Sequence, residues 1–304
     1  MPERSTATRK RRVDKKPVRN IGRSFALAMV FILAFALVYT FVFTNADPLS
    51  PGDNEIIVAF LDVGQGDSIL IWSRDNAILI DGGDTNRRDT VLGYLRRAGI
   101  TKLDYVIATH PHRDHIGGLV GVLGRVDVGR VLMPDVVHIT DTFADFLTVI
   151  ENREIPATAP VPGERFQAGI IEFTVLAPPA GIRNVNNASI VLRLEHGATS
   201  FLFTGDAEAA SERAIVSYGQ NLRTDVLKIG HHGSRTSTTD IFLDAVAPLA
   251  AVISVGRGNQ FGHPHDEVVG RLIDRGIAVY RTDLMGTVFM ATDGERVVLL
   301  QEVT

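Results

Sequence analysis

The sequence predicts an α/β (α+β) fold, a four-layer αββα sandwich in which two sheets pack face to face and helices cover their outer faces. Short apolar runs typical of strands come first, then strands alternate with helical stretches, and the same order recurs later in the chain. Polar loops fall at the ends of the strands, where a rigid scaffold carries a functional site. A separate apolar segment, residues 24–43, predicts one transmembrane helix ahead of this domain.

The composition excludes some kinds of site. The 304 residues include no cysteine, which rules out disulfides, cysteine-ligated zinc and a cysteine nucleophile. The net charge of −4 is unevenly spread, because residues 1–23 hold nine Lys and Arg against two acidic residues, a net +7, and the remaining chain carries −11. An acidic body does not predict tight binding of nucleic acid, but bound metal ions supply local positive charge, so a nuclease is not excluded.

The N-terminal region predicts a membrane anchor. Residues 1–23 are predicted to form a basic, disordered tail, and residues 24–43 are 20 uncharged, mostly apolar residues, the length that a bilayer core requires. The positive charge ahead of the segment predicts a single-pass protein of the cell membrane, with the tail in the cytoplasm and everything after Phe43 outside it. A cleaved signal peptide is the alternative, since Thr44-Asn45-Ala46 is an acceptable cleavage site.

The folded domain is predicted at residues 55–304, after a linker at residues 44–54 that contains Pro and Gly. Strands are expected at 56–61, 68–72, 77–80, 103–108, 131–133, 170–176, 189–194, 200–203, 226–229 and 250–255, with three more near the end. Helices are expected at 87–98, 116–122, 141–151, 207–217, 238–246 and 267–275. The proline-rich region 155–169 is predicted to be a loop.

The strongest functional signal is Thr109-His110-Pro111-His112-Arg113-Asp114-His115, directly after a predicted strand. Imidazole and carboxylate are ligands that zinc and manganese accept. At a strand end, His110 and His112 can point to one side because side chains repeat with period two. Asp114 and His115 begin a turn into a helix and can reach a second point nearby. Four such groups so close together predict a site for two divalent metal ions.

Other segments at strand ends carry the same residue types. They are Asp62–Asp67, Asp81–Asp84, Asp206 and the pair His231-His232, with His263 and His265 in a further loop. Each has a plain structural alternative: Asp and Gly suit turns, Asp206 can cap a helix, and Lys228 can be a solvated lysine. His138 has no partner nearby in sequence and is given no functional role.

These residues carry a resemblance. The His-x-His-x-Asp-His run, the preceding Asp-Gly-Gly, the later Thr-Gly-Asp and the His-His-Gly-Ser resemble the metal motifs of the metallo-β-lactamase superfamily. Four longer segments, 62–68, 187–192, 228–234 and 259–265, resemble the C-terminal metallohydrolase domain of the ComEC-type competence proteins. The similarity covers about residues 55 to 300.

The resemblance implies roles for individual residues. His110 and His112 would hold one metal, Asp114 and His115 the second, and Asp206 would bridge them. His231 would complete the second site, with His232 as the alternative. The superfamily's usual third histidine on the first metal is missing, because the matching segment is Asn186-Asn187-Ala188-Ser189. Asp81, Asn187 and His232 are predicted to support the ligands from outside.

The chemistry expected of such a site is hydrolysis by metal-activated water. Asp114 or Asp67 is predicted to accept a proton or orient the water, and Lys228, His263, Ser234 and His265 to contact the phosphate. The favoured function is a phosphodiesterase or nuclease with DNA as substrate, linked to DNA uptake or processing and needing no obligate protein partner. Alternatives are a hydrolase of another phosphoester, from the cell wall or a small molecule, and a non-catalytic metal-binding module.

Overall fold

A computed structural model describes residues 49–179 and 181–300 of the chain. Within them the predicted α/β sandwich of two sheets is confirmed. The predicted basic tail and the apolar segment 24–43 lie outside the described residues. Between residues 49 and 300, leaving residue 180 aside, none of the helices has the length and apolar character that crossing a membrane requires.

The described part contains fifteen strands and seven α-helices. The strands are β1 (Ile56–Phe60), β2 (Ile69–Trp72), β3 (Ala77–Ile80), β4 (Lys102–Ile107), β5 (Asp127–Leu132), β6 (Ala157–Thr158), β7 (Arg165–Ala168), β8 (Ile171–Ala177), β9 (Val191–His196), β10 (Thr199–Phe203), β11 (Val226–Lys228), β12 (Ala250–Ile253), β13 (Ala278–Arg281), β14 (Val288–Thr292) and β15 (Val297–Leu300). The helices are α1 (Arg88–Arg97), α2 (Arg113–Leu123), α3 (Asp141–Asn152), α4 (Ala209–Ser217), α5 (Asp240–Val246), α6 (Asp266–Asp274) and α7 (Thr282–Met285). Two 3₁₀ turns occupy Thr85–Arg87 and Gly230–Gly233.

The strands form an eight-stranded and a seven-stranded sheet. The first has the order β15-β14-β1-β2-β3-β4-β5-β6, and the second the order β13-β12-β11-β10-β9-β8-β7. The central pairs β3·β4 and β10·β11·β12 are parallel. β1 and β3 are both antiparallel to β2, so they point the same way. The carboxyl ends of β1, β3 and β4 therefore meet at one edge of the first sheet.

Side-chain alternation divides the core into three layers. In β1, Ile56, Val58 and Phe60 face the second sheet, while Ile57 and Ala59 face the helices outside the first. The outer layer of the first sheet is closed by buried side chains of α1, α2 and α3. That of the second sheet is closed by α4, α5 and α6. Strands β1, β2, β3 and β12 are buried on both faces, and each is a continuous apolar run.

Two features differ from the predicted elements. The region 155–169 is not simply a loop, because β6 and β7 lie within it. Both are terminal strands of their sheets, so they need only one partner and show little apolar alternation. Helix α2 begins at Arg113 rather than at Ile116, which places Asp114 and His115 in its first turn.

Candidate metal centre

A cluster of histidines and aspartates lies where the strand ends of the two sheets meet. Its members come from the loops after β1, β3, β4, β10 and β11: Asp67, Asp81, His110, His112, Asp114, His115, Asp206 and His232. In these residues, nitrogen or carboxylate oxygen atoms approach within 4.8 Å of one another in groups of three. Most of the cluster is buried, with Asp67, Asp81, His110, His115, Asp206 and His232 at most 2% exposed.

Glycines let these loops approach each other closely. A side chain at Gly66, which has φ +129°, would collide with the backbone carbonyl of Asp114. A side chain at Gly118 in helix α2 would likewise strike the carbonyl of Gly82. Hydrogen bonds from Asp67 N to Asp114 O (3.2 Å) and from Gly82 N to His115 O (2.7 Å) join the same segments. The loops after β1 and β3 are thus held directly against the start of α2.

The first group consists of His110, His112 and Asp206. The Nε2 of His110 lies 3.6 Å from Asp206 Oδ2 and 3.0 Å from His112 Nδ1. On the other side of the ring, His110 Nδ1 is 3.3 Å from the hydroxyl of Ser189, which also accepts a hydrogen bond from the Asp206 amide. Burial and the neighbouring His115 lower the pKa of His110 well below its usual value, which favours the neutral ring that a metal needs.

The second group consists of Asp114, His115 and His232. The Nε2 of His232 is 3.4 Å from Asp114 Oδ2 and 3.5 Å from Asp206 Oδ1. The Nε2 of His115 is 3.3 Å from Asp206 Oδ2. The two Asp206 oxygens therefore reach both groups, which is the arrangement expected of a bridging carboxylate.

Four atoms of the cluster are buried without a hydrogen-bond partner in the described part of the chain: Asp67 Oδ1, His115 Nε2, Asp206 Oδ1 and His232 Nε2. A buried polar atom left unpaired costs about 1–3 kcal/mol. Four such atoms in one cluster therefore require an explanation. All four atoms are lone-pair donors of the types that zinc and manganese accept. The cluster therefore fits a divalent metal site.

The neighbouring histidines His231 and His232 have different surroundings. His232 is buried and belongs to the second group, whereas His231 has a 22% exposed side chain with Nε2 3.7 Å from Asp206. The Nδ1 of His231 lies 3.2 Å from the Thr236 hydroxyl and 3.4 Å from Glu208. The geometry thus favours the alternative ligand, His232, over His231.

Both histidines adopt a left-handed backbone, with φ +48° at His231 and +53° at His232. Asp81 does the same, with φ +58°. Such conformations cost about 1–3 kcal/mol each for residues other than glycine and cluster at functional sites. The left-handed backbone at these residues orients their side chains differently from those of a regular strand or helix.

Asp81 and Ser254 fix the rings of the two buried histidines in the second group. Asp81 Oδ2 lies 2.7 Å from His115 Nδ1 and also accepts from the Thr109 hydroxyl at 2.6 Å. The Ser254 carbonyl lies 2.9 Å from His232 Nδ1. In each ring the Nδ1 proton is thereby engaged, and the Nε2 lone pair is turned toward the cluster. Burial raises the pKa of Asp81, opposed by the adjacent His115.

The carboxylates give the cluster a strongly negative field. Burial alone would lower the pKa of His232, but Asp206, Asp114 and Asp67 around it raise the value to about 10. Conversely, the pKa of Asp206 is well below its usual value, because His232, His115 and His110 outweigh the effect of burial. A site that attracts a proton this strongly also attracts a metal cation.

Lys228 is placed differently from its predicted role. It is 1% exposed, its ammonium pairs with Asp67 Oδ2, and it donates a hydrogen bond to Gly205 O at 3.0 Å. The structure thus places the Lys228 ammonium in a buried ion pair rather than on the cleft surface, and its predicted contact with phosphate stays a prediction. Burial raises the pKa of Asp67, but Lys228 and His232 together lower it below its usual value.

Asn187 braces the segment that carries Asp206. Its side-chain oxygen accepts hydrogen bonds from Glu208 N (3.2 Å) and Ser211 N (3.0 Å) at the start of α4. Ser189, two residues further, contacts both His110 and Asp206, as described above. The segment that lacks the superfamily's usual histidine therefore positions the first group through an amide and a hydroxyl.

The remaining predicted residues lie near the pair His231-His232. The ring of His263 lies 5.6 Å from that of His231 and 6.4 Å from that of His232, and burial and these histidines lower its pKa to about 4. His265 Nδ1 accepts a hydrogen bond from Arg235 N (3.1 Å). The Ser234 hydroxyl, 3.0 Å from that of Thr236, is buried. Their predicted phosphate contacts stay predictions.

An open cleft of about 520 Å³ leads to the cluster. It is lined by Gln65, Asp84, His112, Arg113, Asp114, His138, Thr140, Asn259, Gln260 and Phe261. Sequence reasoning gave no role to His138, whose ring lies 5.3 Å from that of His112, or to Phe261, although segment 259–265 was noted for its resemblance. Neither follows from local sequence, because the loops that carry them meet only in the folded chain.

Known proteins share this fold and these motifs. The family model of the metallo-beta-lactamase superfamily matches residues 61–257. ComE operon protein 3 of Bacillus subtilis is 32% identical over 250 residues, 76% of this chain and 32% of that protein. Competence protein ComA of Neisseria gonorrhoeae is 34% identical over 248 residues, 80% of this chain and 33% of that protein. The crystal structure of the metallo-beta-lactamase fold protein YhfI from Bacillus subtilis has a TM-score of 0.54 at 14% identity, covering 78% of this chain and 100% of that chain.

The fold and the His/Asp cluster define the class: the chain belongs to the metallo-beta-lactamase superfamily, which includes metal-dependent hydrolases. Within that superfamily, the predicted resemblance to the ComEC-type competence proteins is confirmed. The chain spans about a third of the length of the two competence relatives.

Proposed function

We propose that the chain is a phosphodiesterase dependent on two divalent metal ions, Zn²⁺ or Mn²⁺, that cleaves nucleic acid, with DNA as the favoured substrate. The observation that carries the proposal is the set of buried, unpaired ligand atoms of His115, His232, Asp206 and Asp67 beside an open cleft. The similarity to proteins named for competence supports DNA uptake or processing as the setting.

When bound, divalent ions supply a Lewis acid that activates water and offsets the charge that develops on a phosphodiester. In this proposal His110 and His112 would hold one ion and Asp114, His115 and His232 the other, with Asp206 close to both groups. Asp81 and Ser254 O hold the Nδ1 protons of the second ion's histidines.

Asp114 is the carboxylate that we assign to proton transfer. Its side chain is 30% exposed and lines the cleft, so it is accessible to substrate and water. Asp67, the other candidate, is buried and paired with Lys228. His263, whose pKa of about 4 keeps its ring neutral at pH 7, lies beside the histidine pair and is suited to hydrogen bonding rather than to charge neutralisation.

Metal removal and substrate choice test the proposal together. The purified full-length chain is treated with EDTA, then reloaded with Zn²⁺ or Mn²⁺ and given single-stranded DNA, duplex DNA or a phosphorylcholine ester. We expect EDTA to lower DNA hydrolysis by at least about a thousandfold, since the ions supply several kcal/mol, and reloading to restore it. DNA hydrolysis that persists in the metal-free protein would contradict the mechanism.

A phosphoester that is not nucleic acid, from the cell wall or a small molecule, is the second candidate. The acidic net charge of −11 outside residues 1–23 favours it, because a long basic groove for duplex DNA is not predicted by such a composition. Rapid cleavage of the phosphorylcholine ester, with both DNA substrates left intact, would establish this candidate instead.

We also propose that residues 24–43 anchor the chain in the cell membrane with residues 1–23 in the cytoplasm. The proposal rests on 20 uncharged residues that follow nine Lys and Arg. Protease added to intact cells, with the outer envelope permeabilised where there is one, is expected to digest the domain after residue 55. Digestion that needs lysis of the inner membrane would reverse the predicted orientation.

A further inference from the structure

Phe261 is an exposed aromatic ring in the cleft that leads to the metal cluster. The residue is 53% exposed, and it lines the same cleft as His112 and Asp114. Isolated exposed apolar residues are common on protein surfaces and need no explanation by themselves. This ring differs because it borders candidate metal ligands and because the loop that carries it is braced.

The bracing comes from Asn259 and His263. Asn259 Oδ1 accepts hydrogen bonds from Phe261 N and His263 N, both at 3.1 Å, and its amide donates to Gly256 O at 3.0 Å. The Phe261 ring stacks on that of His263, with centroids 5.7 Å apart and planes 25° apart. One face of Phe261 is therefore supported, and the ring is held in place before any ligand arrives.

We propose that Phe261 is a stacking platform for one nucleobase next to the phosphodiester at the metal cluster, so that the enzyme acts on single strands in preference to duplexes. This inference rests on the proposed function and adds the substrate form. The phosphate would lie toward His112 and Asp114, and the neighbouring base on Phe261.

The dimensions and chemistry of the cleft suit a base. A volume of about 520 Å³ is in the range of small-molecule sites and is compatible with a nucleotide unit. Every base presents a flat π face, and stacking on an aromatic side chain contributes without regard to sequence. In a duplex those faces are already stacked, and extracting a base costs a few kcal/mol. A single strand offers the face at no such cost.

The charge of the residues that line the cleft also favours a single strand over a duplex. Among the described residues that line the cleft, Arg113 is the one Lys or Arg, and it is ion-paired with Asp84 at 3.1 Å. Phosphate neutralisation by the protein is therefore small, whereas duplex binding depends on it. Metal ions at one phosphate together with stacking of one base would supply the contacts that a basic groove supplies elsewhere.

The test compares Phe261 variants of the full-length, metal-loaded chain on two polymers. One is a short oligothymidylate, and the other is an abasic chain of the same length with the same phosphodiester backbone. We expect Phe261→Ala to lower kcat/KM on the oligothymidylate by about tenfold to a hundredfold. Its rate on the abasic chain should stay within about twofold, and Phe261→Trp should retain the wild-type preference for bases.

Two controls separate stacking from loop support. Tyr218→Ala removes another exposed ring, 42% exposed, that does not line the cleft, and should leave both rates unchanged. Phe261→Leu keeps apolar bulk but has no π face and should resemble Phe261→Ala. Full activity in Phe261→Leu, or equal losses of Phe261→Ala on both polymers, would overturn the inference.

Failure of the proposed function would look different. If the wild-type chain hydrolyses neither polymer, fluorescence anisotropy with the same labelled polymers still measures binding. Weaker binding of Phe261→Ala to the oligothymidylate, with unchanged binding to the abasic chain, would support the platform. Equal binding of wild type and variant to both polymers would overturn it. The wild-type rate should also be lower on a duplex of the same sequence than on the single strand.

Discussion

Replacing His232 by alanine is expected to lower hydrolysis by at least about a thousandfold, because a lost ligand removes an ion that supplies several kcal/mol. His232 is buried, its Nδ1 proton is engaged by Ser254 O, and its Nε2 lies 3.4 Å from Asp114 and 3.5 Å from Asp206. The matched variant His231→Ala changes the adjacent residue, whose ring is partly exposed, and is expected to lose only about tenfold, as a residue outside the ligand set does.

Metal content distinguishes the two variants independently of activity. After loading with Zn²⁺ and removal of free ions, His232→Ala should hold fewer equivalents by elemental analysis than His231→Ala, which should match the wild type. Circular dichroism melting establishes that both variants are folded. If His231→Ala loses metal and His232→Ala keeps it, His231 is the ligand and the assignment of His232 is wrong.

The choice between His231 and His232 as the metal ligand could not be made from the sequence alone. The His110–His115 run could be predicted because its spacing is local and it follows a recognisable strand. The strand ends that bring Asp81 and Asp206 to it follow from the order of elements. His231 and His232, by contrast, are adjacent, and only their left-handed backbone angles decide which ring turns inward. Nothing in their local sequence determines those angles.

Contacts between loops that are distant in sequence could not be predicted from the sequence either. His138 was given no role because it has no partner nearby in sequence, yet its ring lies 5.3 Å from that of His112. Lys228, which was expected in solvent or in contact with a phosphate, is buried beside Asp67. Its burial depends on the loop after β1, which delivers Asp67 from more than a hundred residues away. Electrostatic pairing of this kind is set by tertiary structure, which propensity and periodicity do not encode.

The Asp67–Lys228 pair leads to the second large effect. Lys228→Met keeps the length and apolar stem of the side chain but removes the ammonium paired with Asp67, which leaves the neighbouring His232 as the nearest cationic partner of that carboxylate. Breaking a buried ion pair in this way costs about 3–5 kcal/mol, so we expect that loss in the free energy of unfolding, measured by urea denaturation of the metal-free protein at pH 7. Lys102→Met is the matched control, because Lys102 is 63% exposed and its pair with Asp104 is worth at most about 1 kcal/mol.

The pH dependence identifies the cause of the loss. With Lys228 present, the pKa of Asp67 is lowered, so its contribution to stability is present above the unfolded carboxyl pKa and is lost as the pH falls. Without Lys228, the pKa of Asp67 is lowered less, because burial is then opposed only by His232 and His115, and protonation of Asp67 relieves part of the lost pairing. The destabilisation by Lys228→Met should therefore shrink as the pH is lowered from 7 toward 4, and Asp67→Asn in the same protein should recover much of it. A loss that is constant with pH and unaffected by Asp67→Asn would mean that Lys228 contributes through packing rather than through charge.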